Sequence, residues 1–211
     1  MPKINWGIIG PGSIANAFSY SIENATNSKL ISVFGRDPYK TNSFAEKFNI
    51  DAYHQLDDFL SQQDLDAIYI ATPHSEHFFY ALEGIKNRKH VLCEKPFTMN
   101  AFESMVLLDL ADTKKVFLME AFMYRTHPQT KNILDNLNFL SDANSKIMIE
   151  ASFGFKADVP STHRLRNPEL GGGAILDVGC LSLIHISEPT RLLSIGYSVF
   201  LVKKKRGGGG G

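Results

Sequence analysis

The chain has 211 residues, with 22 Lys+Arg balanced by 22 Asp+Glu, and 44% of its side chains are hydrophobic. That composition excludes a disordered acidic tail, a collagen-like chain and a generally basic nucleic-acid binder, and the length allows one large or two small domains with a real core. Two cysteines, Cys93 and Cys180, make neither a disulfide framework nor a zinc-knuckle spacing, so a reducing, cytoplasmic setting is expected.

In chain order, Ile4–Ile9 reads as a strand, followed by a glycine turn and a helix through Ala15–Ile22. Leu30–Phe34 is a second strand, with a helix from Tyr39 to Phe48. Ala67–Ala71 is an apolar strand leading to a helix over Ser75–Asn87. His90–Cys93 is another strand. Asn100 then opens a helix with Glu103 three residues on, the spacing of a reciprocal cap. Val116–Ala121 closes the series. Strands alternating with amphipathic helices predict an α/β fold with a doubly wound parallel sheet over residues 1–122. After Met123 the rhythm changes. Pro128 starts a helix to about Phe139, Ile147–Phe155 alternates like a half-buried strand, and 156–170 is polar loop. The Gly171–Gly173 run leads into an apolar segment ending at Cys180. Residues 123–180 therefore read as the start of a second, incomplete α+β domain.

The C-terminus does not continue this pattern. The segment 181–211 reads LSLIHISEPTRLLSIGYSVFLVKKKRGGGGG, and its last five residues are 5 of the chain's 16 glycines. A run of A bases followed by a run of G bases encodes Lys203 to Gly211, and LSLIHISEPTR resembles a translated transposase-type library adapter. The expectation is a non-native tail from Leu181 onward. Without its five basic residues and one acidic residue, 22 and 22 become 17 and 21, a net charge of −4. The apolar stretch 192–202 is too short to span a bilayer, and neither membrane nor nucleic acid is an expected partner.

Three motifs carry chemistry. Gly10-Pro11-Gly12-Ser13-Ile14-Ala15 is a G-x-G-x-x-A word directly after the first strand. Gly10 permits a tight turn, Gly12 lets backbone approach a pyrophosphate, and the following helix offers its N–H groups to an anion. The end of the second strand normally holds an acid for the ribose 2′-hydroxyl of NAD. Here Gly35 replaces it and Arg36 follows, which favours NADP(H) over NAD(H); otherwise Arg36 is solvated and Asp37 caps the next helix. Glu94-Lys95-Pro96 follows a strand at the carboxyl edge of the sheet, where such folds bind ligands. A lysine there can exchange the hydroxyl proton as hydride leaves or returns. His74 and His77, after Thr72-Pro73, lack a third ligand at familiar spacing, so no metal is expected. They line the nicotinamide side of the crevice or serve a helix terminus. Cys93 reads as a packed strand thiol.

With GIIGPGSIA (7–15), ATPHSEH (71–77), HVLCEKP (90–96), LMEAFMYRTHPQ (118–129) and NPELGGGAILDVGC (167–180), the chain resembles the Gfo/Idh/MocA family of NAD(P)-dependent oxidoreductases. The CEKP and MEAFMYR words look closest to its dihydrodiol, xylose and polyol dehydrogenases. The resemblance implies a catalytic role for Lys95, with Asp177 orienting it or the substrate and Glu94 beside the nicotinamide. It implies that Gly10, Gly12, Ser13 and Ile14 form the pyrophosphate loop and that Arg36 is the arginine of NADP-preferring members. Thr72, Pro73, His74 and His77 would face the nicotinamide ribose, and Arg164 would reach cofactor or substrate. Members usually carry Tyr or His four residues after the aspartate, where this chain has Leu181, and continue for about another 150 residues. The expectation is thus a sugar, polyol or diol dehydrogenase, homo-oligomeric only at full length, with this chain impaired by truncation. Other classes are a non-catalytic dinucleotide sensor, which would not need Lys95, and a redox-assisted glycosidase.

Overall fold

The computed structural model describes residues 3–140, 158–163, 165–173 and 175–179. Six strands form one sheet: β1 (Ile4–Ile9), β2 (Ser28–Phe34), β3 (Asp51–Tyr53), β4 (Ala67–Ile70), β5 (His90–Cys93) and β6 (Leu118–Glu120). Their order is β3-β2-β1-β4-β5-β6, and every neighbouring pair is parallel. All four residues of β4 are buried, which is why its sequence, AIYI, does not alternate.

The period of two along each strand divides the core between the faces. Ile8, Val33 and Tyr69 join one cluster with Ala15 of α1 (Ser13–Glu23) and with Phe44 and Ala45 of α2 (Pro38–Phe48). Ile9, Phe34, Ile68 and Ile70 join the other. There they meet Phe59 and Leu60 of α3 (Leu56–Leu60), Ala81 and Ile85 of α4 (His77–Lys86), and Leu107 and Ala111 of α5 (Ala101–Lys114). The sheet is therefore covered on both sides, as a doubly wound fold requires. A sixth helix, α6 (Pro128–Leu140), follows a short turn at Met123–Thr126. No helix among the described residues is long and apolar enough to cross a membrane.

Helix starts follow the expected chemistry with one shift. Asp37 accepts a hydrogen bond from Lys40 N at 3.2 Å, and Pro38 fills the first turn of α2. Asn100 Oδ1 accepts from Glu103 N at 3.0 Å, but the Glu103 carboxylate reaches back to Met99 N at 3.0 Å, one residue before the cap. β3 and α3 had no sequence signal: with three and five residues, they are too short to show a period. The helix expected from Ser75 begins instead as a tight turn over His74–Glu76 before α4.

Beyond α6, Pro168–Leu170 form a short turn and Ile175–Gly179 a single wide π-type turn, held where Asp177 N donates to Gly173 O at 3.1 Å. The expected strand over 147–155 and the tail at 181–211 lie outside the described residues. At the point where strand order reverses, β1 and β4 lie side by side and their carboxyl ends open a crevice.

Candidate active site

The first wall of the crevice is the turn after β1. Gly10 has φ +95°, a conformation that L side chains rarely adopt, and a Cβ there would stand 3.0 Å from Ala71 O. Gly12 caps α1 without a side-chain hydrogen bond, and no acid occupies the first turn. The amides at this helix start are left for an anion. Gly12, Ser13 and Ile14 line a cleft of about 600 Å³ with Ala71, Thr72, Pro73, His74, Glu94, Lys95, Ala121, Met123 and Asp177. A second lobe of about 300 Å³ continues from it, lined by Gly10, Pro11, Gly12, Gly35, Arg36, Lys40, Thr72, Pro73 and Glu76 among others.

The second lobe carries two cations. Arg36 Nη2 donates to Glu76 Oε1 at 2.5 Å, and Lys40 Nζ lies 3.5 Å from Asp37 Oδ2. Lys40 was missed in the sequence; its signal was the spacing of four from Arg36 across the start of α2. Gly35 leaves no room for a side chain, since a Cβ would lie 2.3 Å from Thr41 Oγ1.

At the other end, Lys95 follows β5 and precedes a cis Lys95–Pro96 peptide. Its ammonium donates to the Asp177 carbonyl at 2.5 Å and lies 3.4 Å from Asp177 Oδ1, with Asp177 itself buried. Glu94 accepts from Lys95 N at 3.2 Å and from the Tyr69 hydroxyl. Burial first, and the Glu94 charge second, push the Tyr69 phenol far above its ordinary value, so it remains a donor. The Phe18 ring stacks on Tyr69 with centroids 3.9 Å apart. Behind them, Glu120 accepts from Phe97 N at 2.7 Å, and its carboxyl is held above the usual range by burial, with the Glu94 charge adding to that and the hydrogen bond opposing it.

The two histidines separate. His74 is buried, lines the cleft, and places Nδ1 3.2 Å from Gly171 O. His77 does not line the cleft. Its fully buried ring lies between two loops, with Nδ1 2.8 Å from Pro96 O and Nε2 3.0 Å from Thr72 O. Burial lowers its pKa and outweighs the two carbonyls, which favour the charged ring. The ring centroids are 5.7 Å apart, and among the described residues no cluster of three ligating side chains could hold a metal ion. Thus the expected Gly10, Gly12, Ser13, Ile14, Arg36, Thr72, Pro73, His74, Glu94, Lys95 and Asp177 line one continuous crevice. His77 stands behind its wall, and Arg164 lies outside the described residues.

These residues fit a dinucleotide. Three buried side-chain polar atoms lack a hydrogen-bond partner among the described residues, and two of them, Thr72 Oγ1 and Glu76 Oε2, belong to residues lining the crevice. Orphaned buried atoms are costly, and a polar ligand would satisfy them. An uncapped helix start lies in the middle, with a cation pair at one end and a lysine at the other.

The chain is similar to known oxidoreductases. The chain is 35% identical over 178 residues to trans-1,2-dihydrobenzene-1,2-diol dehydrogenase of Xenopus tropicalis, covering 83% of this chain and 53% of that protein. It is 30% identical over 192 residues to D-xylose 1-dehydrogenase (NADP(+)) 2 of Haloferax volcanii, covering 89% and 58%. A 3-ketoreductase from Actinomadura kijaniata, solved with NADP and TDP-benzene, superposes with a TM-score of 0.71 at 26% identity, covering 84% of this chain and 54% of that one. The chain thus spans little more than half the length of these relatives. The model of the Gfo/Idh/MocA oxidoreductase family, NAD-binding Rossmann fold, matches residues 4–122, so the chain belongs to that family and carries its NAD(P)-binding domain.

Proposed function

We propose that this chain supplies the nucleotide site and the proton-transfer lysine of an NADP-preferring oxidoreductase that moves a hydride between nicotinamide and a hydroxyl-bearing carbon of a sugar, polyol or diol. The observation that carries the reading is the contact of Lys95 with Asp177 in the cleft that starts at the Gly12 helix cap. The relatives named for a diol and for D-xylose support the substrate class, and the NADP(+) in the latter's name and the NADP-bound structure support the cofactor.

The bound nicotinamide supplies the hydride acceptor. Gly10, Gly12, Ser13 and Ile14 hold the pyrophosphate by backbone N–H groups, and Arg36 with Lys40 receives the 2′-phosphate. Thr72, Pro73 and His74 form the wall facing the nicotinamide ribose. Lys95 Nζ takes the substrate hydroxyl proton during oxidation and returns it during reduction. Asp177 stabilises and aims the resulting ammonium, and Glu94, fixed by Tyr69, holds the wall beside it. His77 serves this site by tying the Thr72 and Pro96 loops together. Homo-oligomerisation and a cytoplasmic location belong to the same proposal for the longer protein; the buried free thiol of Cys93 suits a reducing compartment.

Titrating the 211-residue chain with NADPH and NADH by nucleotide fluorescence tests the cofactor half. Tighter binding of NADPH supports it, and binding of neither overturns it. The chemistry is tested by NADPH formation from NADP+ with D-xylose and with a trans-dihydrodiol, in this chain and in one extended to its relatives' length. Turnover lost in Lys95→Ala, with NADPH binding retained, is the expected result. Turnover indifferent to that substitution, or absent from the extended chain as well, overturns the assignment.

A further inference from the structure

A carboxylate enters the adenosine lobe from an unexpected direction. In doubly wound folds, the acid that accepts the ribose 2′-hydroxyl stands at the end of β2. That position here is Gly35, and packing closes it to any side chain: besides Thr41 Oγ1, a Cβ would meet Pro11 Cδ at 2.9 Å. Glu76 reaches the same lobe from the turn between β4 and α4. Its two oxygens are in different situations. Oε1 accepts from Arg36 Nη2 at 2.5 Å, whereas Oε2 is buried and has no partner among the described residues. A buried carboxylate oxygen without a donor is unfavourable, and a ligand hydroxyl or amino group entering the lobe would relieve it.

We propose that Glu76 is the specificity-determining acid of this nucleotide site, replacing the absent β2 acid and restraining Arg36. Through Oε2 it accepts a hydroxyl of the adenosine ribose. Through Oε1 it cancels part of the guanidinium charge that a 2′-phosphate would otherwise meet. The carboxylate also opposes that phosphate by like charge within one lobe. Glu76 therefore narrows the preference created by Arg36 and Lys40, so the site accepts NADH as well as NADPH. The inference rests on the NADP reading above and concerns only the balance between the two nucleotides.

The test is the ratio of the NADH and NADPH dissociation constants in the 211-residue chain, measured by fluorescence titration on one preparation so that the folded fraction cancels. Glu76→Gln keeps the shape and removes the charge, and is expected to raise the ratio about tenfold, with NADPH bound more tightly and NADH more weakly. Glu76→Ala is expected to shift the ratio the same way and gives the same readout should the amide disturb folding. A ratio within about twofold of the parent in both variants, or weaker NADPH binding with NADH unchanged, overturns the role of Glu76. Arg36→Ala is run in parallel: if it leaves NADPH binding intact, the NADP reading itself fails, which separates the two outcomes.

Discussion

Lys95 and Asp177 are 82 residues apart in sequence, yet the lysine ammonium donates to the aspartate carbonyl and lies 3.4 Å from its carboxylate. The lysine comes from the end of a central strand and the aspartate from a wide turn beyond the Rossmann domain. Their contact stands in the wall of the cleft and gives the lysine a fixed direction.

Removing either partner should separate binding from chemistry. Lys95→Ala is expected to lower kcat by about 10²–10⁴-fold in the turnover-competent protein, since proton transfer is lost while the nucleotide wall stands. Asp177→Asn keeps the backbone carbonyl that accepts from Lys95 and should cost less. Steady-state rates paired with NADPH titration check both.

The second lobe predicts a nucleotide-selective defect. Arg36→Ala should raise the NADPH dissociation constant about tenfold, the scale of one charge-assisted hydrogen bond, and leave NADH within about twofold. Lys40→Ala should act in the same direction but less, because an ammonium meets a phosphate as a point charge whereas a guanidinium can bind it through two parallel N–H groups.

Gly10 should tolerate no side chain. At φ +95°, with Ala71 O where a Cβ would press, Gly10→Ala is expected to cost about 1–3 kcal/mol of stability and to weaken NADPH binding. Urea denaturation with and without nucleotide measures both effects.

Glu120 should make stability depend on pH. Its folded pKa lies above the ordinary 4.5, so the folded state holds the proton more tightly than the unfolded chain. That contribution is full below the unfolded value and is lost as pH rises through the folded one. Glu120→Gln can still accept from Phe97 N but carries no charge. The variant's stability relative to the parent should therefore increase as pH rises from below 4.5 through the higher folded value. A constant difference in urea midpoints over that range would refute the assignment.

Five of the six strands, the glycine word and the lysine turn were legible because each is written in a few consecutive residues. Ile4–Ile9 reads as a strand directly before the glycine word, and Gly10 declares the turn. β3 and α3 were not legible, since Asp51–Tyr53 and Leu56–Leu60 are too brief to display a period. His77 looked like a partner of His74 in the crevice, yet its ring is spent on Pro96 O and Thr72 O behind the wall. Lys40 belongs to no motif, and Glu76 stands inside the ATPHSEH word without a role of its own; both come to line the second lobe only because α2 and the β4–α4 turn pack beside Gly35.

The sequence by itself determined the doubly wound sheet, the glycine turn after β1 and the place of Lys95 beyond the end of β5, all properties of backbone period and local side-chain chemistry. Only the tertiary structure decided which charge meets which. Arg36 meets Glu76, Lys95 meets Asp177, and His77 turns inward. Such pairings depend on how crossover helices and turns pack against the sheet, which no span of adjacent residues encodes.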